Sequence, residues 1–258
     1  MLAKRVIPCL DVRDGKVVKS IRFVDTKDVG DAILMARGYD QAGADELVFL
    51  DINASHEGRR TVIDFAARVA EELFIPFTVG GGIASVDLAG EILRGGADKV
   101  AVNSAAVRRP ELIGEIADRY GAQATVLSID ARRGERGYEV VVDGGRRPTG
   151  REVVAWAREA VERGAGEILL NSIDRDGTKL GFDLELTNAV ASAVDVPIIA
   201  SGGASSAEDF VTLFRDSGAD AALAASIFHY GELTVGQVKA ALAAAGVPVR
   251  PPERALVS

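Results

Sequence analysis

Three motifs occur twice in this chain, in the same order, with a shift of roughly 120 residues. Cys9-Leu10-Asp11-Val12-Arg13 is echoed by Ser128-Ile129-Asp130-Ala131-Arg132. Pro76-Phe-Thr-Val-Gly-Gly-Gly-Ile-Ala-Ser is echoed by Pro197-Ile-Ile-Ala-Ser-Gly-Gly-Ala-Ser-Ser, and Gly96-Ala97-Asp98 by Gly218-Ala219-Asp220. The simplest fold for such a chain is one body closed from two similar halves, about residues 1–122 and 123–250, with 251–258 as a tail.

The texture between the motifs says what each half contains. Short apolar runs at Val6–Leu10, Glu46–Leu50, Phe77–Val79, Lys99–Val102, Ala124–Ile129, Glu167–Leu170, Ile198–Ala200 and Ala221–Ala224 read as strands. Several are continuous in Val, Ile, Leu and Ala, as parallel strands buried on both faces require. Amphipathic stretches at Val62–Leu73, Val86–Leu93, Pro110–Tyr120, Val153–Arg163 and Ala207–Phe214 read as helices. Ser205 with Glu208 supplies a capping box before the last of these. Eight strands with intervening helices in about 250 residues predict a single (β/α)8 TIM barrel.

Two connections exceed the usual 2–6 residues. Arg13–Gly30, rich in Lys, Asp and Gly, reads as a mobile loop at the active site. Arg132–Thr149 contains Tyr138–Val142 and the turn signal Asp143-Gly144-Gly145, which predict a small hairpin. Val249–Ser258 has no periodicity and is expected outside the core.

Composition narrows the function. A net charge of −8 argues against a general nucleic-acid binder. No apolar run approaches the roughly 18 residues of a membrane span, and the N-terminus lacks the pattern of a secretory signal. A lone Cys9 inside an apolar run reads as a buried, inert thiol. Together these point to a cytoplasmic protein. His56 and His229 have no neighbours at ligand spacing, so no metal or organic cofactor is expected.

Active sites of this barrel class lie at the C-terminal ends of the strands. Asp11 and Asp130 each follow an apolar strand at matching places in the two halves. Two carboxylates on opposite sides of one mouth suit general acid–base catalysis if their surroundings set different proton affinities. Gly80-Gly81-Gly82 and Gly202-Gly203 each precede a helix, where bare backbone N–H groups receive anions. Asn103-Ser104 and Ala225-Ser226 add donors on the same sides, so the pair of sites implies a long ligand phosphorylated at both ends. Lys19 in the first long loop, and Asp176-Gly177 after the sixth strand, are further candidate ligand contacts, with an ordinary solvated loop as the competing reading of each. On the opposite face Arg5, Glu46, Lys99 and Glu167 stand at strand starts as two cations and two anions. As pure structure such a ring seals the barrel bottom.

At these residues the chain resembles the cyclase subunits of imidazole glycerol phosphate synthase, of histidine biosynthesis, from Leu2 to about Val249. The most specific stretches are Ala3-Lys-Arg-Val-Ile-Pro-Cys-Leu-Asp-Val, Asp45-Glu-Leu-Val-Phe-Leu-Asp-Ile and Gly164-Ala-Gly-Glu-Ile-Leu-Leu-Asn-Ser-Ile-Asp-Arg-Asp-Gly-Thr. The resemblance implies a lyase acting on phosphoribulosyl-formimino aminoimidazole carboxamide ribonucleotide. Ammonia is added, and imidazole glycerol phosphate and aminoimidazole carboxamide ribonucleotide are released. It makes Asp11 and Asp130 the acid and base and Lys19 a substrate-holding loop residue. It gives Gly82, Asn103 and Ser104 to one phosphate, and Asp176, Gly177, Gly203 and Ser226 to the other. It turns Arg5, Glu46, Lys99 and Glu167 into a gate for ammonia from a glutaminase partner docked near Asp98, in a heterodimer.

The chain departs from the family at Ser20, Arg22, Asp25–Val29, Asn53, His56 and Ala84, all on the substrate side. Two alternatives stay open beside the cyclase. One is a paralogue aminating a different phosphorylated sugar derivative, and the other is the sister phosphoribosyl-formimino isomerase.

Overall fold

The structure, a computed structural model, describes residues 2–13, 16–21, 25–51, 58–135 and 137–251. In chain order the elements begin with β1 (Arg5–Arg13), β2 (Lys16–Ile21), β3 (Asp25–Asp31), α1 (Ala32–Gln41), β4 (Leu47–Asp51) and α2 (Gly58–Ala70). Next come β5 (Phe77–Gly80), α3 (Val86–Arg94), β6 (Lys99–Val102), α4 (Ser104–Arg108) and α5 (Glu111–Tyr120). The second half holds β7 (Thr125–Gly134), β8 (Gly137–Val142), β9 (Arg147–Glu152), α6 (Val153–Glu162), β10 (Glu167–Ser172) and α7 (Leu184–Ala191). It ends with β11 (Ile198–Ser201), α8 (Ala207–Asp216), β12 (Ala221–Ala224), α9 (Ser226–His229) and α10 (Val235–Ala244).

Eight of the strands pair in parallel around a closed ring, in the order β1, β4, β5, β6, β7, β10, β11, β12 and back to β1. This is the expected (β/α)8 barrel. β1 and β7 therefore face each other across it. They are also the two strands that run on past the barrel rim, each pairing with an antiparallel hairpin.

The hairpin on β7 is the one the turn signal predicts. The connection Arg13–Gly30, expected as a mobile loop, carries a hairpin, with β2 and β3 pairing from Lys16↔Asp31 to Ile21↔Asp25. β3 is mostly polar and β2 sets Val17 next to Val18, so neither alternates and no strand pattern marks them in the sequence.

Two layers of core follow from the alternation of side chains along each strand. Ile7, Cys9, Val48, Ala101, Val126, Leu169, Ile199, Ala221 and Leu223 form a cluster of their own and fill the barrel. Their neighbours in sequence, among them Val6, Leu10, Phe49, Val100, Leu127 and Ile168, join the larger cluster beneath the helices. That double burial is why the strands read as unbroken apolar runs. Cys9, at 3 % exposure, is an interior side chain of the barrel.

Several local expectations shift. The capping box of α8 joins Ser206 to Asp209, one residue beyond the expected Ser205–Glu208 pair. Asp209 also accepts from the backbone N–H and hydroxyl of Ser205, so both serines hold the same carboxylate. Glu46 immediately precedes β4 rather than opening it. Helices α1, α4, α7, α9 and α10 were not marked by periodicity. α4 and α9 are too short to show it, and Ala-rich α10 buries Lys239 along with Val235, Val238 and Leu242. The expected tail is partly tied down. Val249 bridges to Lys4 and packs against the core, and Arg250 donates to Asp45 Oδ1 at 3.0 Å and to the Ala44 carbonyl.

Candidate active site

The same alternation that fills the barrel decides what stands at its two ends. On β1 the inward row reads Arg5, Ile7, Cys9, Asp11. The matching rows are Lys99, Ala101, Asn103 on and after β6, and Glu167, Leu169, Asn171 on β10. On β7 it is Val126, Ser128, Asp130. The rows on β1, β6 and β10 thus carry polar residues at both ends and apolar side chains between, and the β7 row ends on Asp130.

At the C-terminal end, Asp130 is held on both oxygens. Asn103 Nδ2 donates to Oδ2 at 2.9 Å and Asn171 Nδ2 donates to Oδ1 at 3.0 Å. Burial pushes the proton affinity of this carboxyl up; the two amides oppose that, and the like charge of Asp176 adds to it. The net direction is upward, as a group that must carry a proton for part of a reaction requires. Asp11 lies on the opposite strand, half-buried, level with Leu50 of β4. Both aspartates are half-buried at the same end of the barrel.

The glycine loops flank this mouth. Gly81 and Gly202 both have φ +99°, and a Cβ at either would strike the carbonyl oxygen of a neighbouring strand end, Asp51 at 2.1 Å and Ser172 at 2.7 Å. Gly203, at φ +98°, has its carbonyl bonded to the Gly181 N–H at 2.8 Å, so two loops meet there. Gly82 and Gly177 also carry positive φ. Asn103 and Ala225, which lead into α4 and α9, share an unusual backbone, with φ −131° and ψ −104° in one and φ −124° and ψ −77° in the other.

Not every expected donor points the same way. The Asn103 amide is spent on Asp130, and Ser104 Oγ accepts from the Asp143 N–H at 3.0 Å, which ties α4 to the β8–β9 turn. Asp176 is anchored through its own N–H to the Ser172 carbonyl at 2.9 Å. Ser226 opens α9. Lys19 lies on β2, with its side chain outside the described residues, as are Arg22, Asn53 and His56. Ala84 is exposed beside Gly82.

At the other end the four charged residues close a ring. Arg5 Nη1 reaches Glu46 Oε2 at 2.8 Å and Nη2 reaches Glu167 Oε1 at 2.5 Å. Lys99 Nζ reaches Glu46 Oε1 at 3.0 Å and Glu167 Oε2 at 2.7 Å. Thr78 Oγ1 adds a bond to Glu46 at 3.0 Å. Burial works against the Arg5 charge, but Glu167 and Glu46 outweigh it and hold its pKa above the ordinary value. Asp98 lies exposed on this face, its carboxylate accepting from the Phe77 N–H at 2.9 Å.

Sequence reasoning missed Asn171, Ser201 and Thr78. The signal was present, since each is a polar residue in an inward row beside apolar ones. It becomes readable only once the inward set is known.

A parallel barrel with carboxylates on facing strands at its C-terminal mouth, flanked by glycine loops, has the architecture of the (β/α)8 enzymes. The particular branch comes from comparison with known proteins. The histidine biosynthesis protein family matches residues 5–234. Imidazole glycerol phosphate synthase subunit HisF of Anoxybacillus flavithermus is 60 % identical over 252 residues, covering 97 % of this chain and all of that protein. The subunit of the same name from Halalkalibacterium halodurans is also 60 % identical with the same coverage, and that of Deinococcus radiodurans is 57 % identical over 97 % of both chains. The chain belongs to this histidine-biosynthesis family, as a member of its HisF cyclase branch. That sets aside the sister isomerase. Among the described residues no helix is long and apolar enough to cross a membrane.

Proposed function

We propose that this barrel converts phosphoribulosyl-formimino aminoimidazole carboxamide ribonucleotide and ammonia into imidazole glycerol phosphate and aminoimidazole carboxamide ribonucleotide. The carrying observation is the pair Asp11 and Asp130, on facing strands at the C-terminal mouth, with the proton affinity of Asp130 raised by its burial. One aspartate takes a proton as ammonia adds to the ribulosyl carbonyl, whose oxygen leaves as water. The other moves a proton as the imidazole closes and the aminoimidazole product departs.

The two halves, about 1–122 and 123–250, each supply one aspartate and one phosphate loop. Gly82, Asn103 and Ser104 serve one phosphate, and Asp176, Gly177, Gly203 and Ser226 the other. Lys19 closes over the substrate. The shared backbone of Gly81 with Gly202, and of Asn103 with Ala225, supports this pairing. Asn103 serves both ends of the argument, with its backbone at the phosphate loop and its amide on Asp130.

Arg5, Glu46, Lys99 and Glu167 form the gate through which ammonia enters from a glutaminase partner docked around Asp98, in the cytoplasm. Support comes from the inward rows, which start at the ring and end at the mouth, with Ala101 one inward step beyond Lys99.

The test is substrate turnover by the isolated chain with an ammonium salt at mildly alkaline pH. Loss of turnover in both Asp11→Asn and Asp130→Asn, with the substrate still bound, supports the cyclase. No turnover and no binding by the unaltered chain overturns it and favours another phosphorylated sugar derivative, the reading that the departures at Ser20, Arg22 and Ala84 would then explain.

A further inference from the structure

Two amides hold Asp130, but they are not equivalent. Asn171 is itself held, because Ser201 Oγ donates to its carbonyl Oδ1 at 3.1 Å. Asn103 has no such brace, its carbonyl Oδ1 being buried without a hydrogen-bond partner among the described residues. Asn171 and Ser201 come from neighbouring strands β10 and β11, at paired positions, and Asn171 is level with Asp130 on β7. A single chain of bonds therefore runs around the barrel wall, from Ser201 to Asn171 to Asp130 Oδ1.

The chemistry of a carboxyl gives this asymmetry a consequence. A carboxylate oxygen that accepts an N–H cannot at once offer its own proton along that line. Turning Asn171 over would set its carbonyl against the carboxylate, and the Ser201 hydroxyl would have to give up its donated bond and rotate to accept from the amide instead. Turning Asn103 over has no such bond to break, and it would place its orphan carbonyl where a protonated Oδ2 could donate to it.

We propose that Asn171 is a positioning residue, pinning Oδ1 of Asp130 so that the proton of this group is taken up and released at Oδ2, on the Asn103 side. The inference rests on the reading of Asp130 as an acid–base group. Other groups around Asp130 do not compete for the role. β8 pairs with it through apolar Val141, and the loop after β10 brings the like charge of Asp176, which raises its proton affinity without fixing either oxygen.

The experiment follows the Asp130 carboxyl directly, by carbon-13 NMR of the free chain, with the resonance assigned by its disappearance in Asp130→Asn. The Asn171 amide favours the charged form, so Asn171→Ala moves the carboxyl titration to higher pH by about one pH unit, the equivalent of 1.36 kcal/mol. Ser201→Ala, which removes only the brace, moves it less and in the same direction, and it keeps the test open if Asn171→Ala does not fold. In turnover the pH limb set by Asp130 moves with the titration, and kcat falls while KM holds.

A titration unmoved in both variants overturns the inference, even if activity is lost, since a purely structural role would do that. The outcome is separable from the function itself. A titration that moves in a chain with no cyclase turnover leaves Asn171 in its role and removes the proposed reaction. An unmoved titration in an active chain does the reverse.

Discussion

Replacing Gly203 and Gly177 by alanine, one at a time, separates two costs that sequence reasoning lumps together. Both glycines are proposed phosphate contacts and both hold positive φ, +98° and +71°. At Gly177 a Cβ meets nothing within 4 Å. The penalty there is the left-handed backbone alone, about 1–2 kcal/mol. At Gly203 a Cβ would lie 2.2 Å from the Gly181 carbonyl oxygen, which is backbone and held by the loop-to-loop bond between the same two residues. Its φ lies farther from the left-handed well, at about 1–3 kcal/mol, and the contact adds about 1–3 kcal/mol of overpacking. Gly203→Ala should therefore lose about 2–6 kcal/mol, against about 1–2 for Gly177→Ala. At about 2–4 °C per kcal/mol for a domain of this size, Tm falls by roughly 2–8 °C in Gly177→Ala and roughly 4–24 °C in Gly203→Ala. Calorimetry at one scan rate, with urea unfolding for the free energy, reads both. Equal losses, or a larger loss at Gly177, would refute the idea that loop contact rather than backbone conformation sets the price at this mouth.

The other predictions are shorter. Asp130→Asn should be inactive yet more stable than the parent at pH 7.5. A carboxyl whose folded pKa is raised costs stability above that pKa, and the cost fades as pH falls toward the unfolded value near about 3.9. Urea unfolding at pH 7.5 and 4.5 should show the advantage shrinking at the lower pH; an advantage that grows there contradicts the raised pKa. Lys99→Met removes one cation from a ring in which Glu46 and Glu167 each keep Arg5, so the loss is about 2 kcal/mol, and a loss below about 0.5 would mean the ring adds nothing to stability. Ser206→Ala breaks the cap of α8 and should cost about 1 kcal/mol, whereas Glu208→Ala, outside the capping box, should cost less than half of that.

The barrel was legible because its eight strands are buried on both faces, and burial writes itself into sequence as unbroken Val, Ile, Leu and Ala. The aspartates were legible because the repeat places them twice. What escaped was whatever depends on a neighbour far along the chain. Nothing near Asn171 in sequence says that its amide faces Asp130, 41 residues away, or that Ser201 braces it. β2 and β3 escaped because neither alternates apolar with polar residues. The capping box of α8 was displaced by one residue, though the helix starts at Ala207 as expected, because Ser205 and Ser206 are both competent caps and only the geometry of Asp209 chooses between them.

β1 joins the ion ring to a proposed catalytic group in three steps of two residues each, from Arg5 through Ile7 and Cys9 to Asp11, all on its inward side. Because side chains alternate strictly, a single inserted or deleted residue within this stretch would turn one end of it toward the helices. Only changes of two can be tolerated, and those would alter the distance from the ring to the mouth. For an engineer the strand is therefore a cassette: grafted whole from a related barrel, it carries the proposed entrance and the proposed acid–base group together, whereas a splice made at its middle must preserve the count or lose one of them.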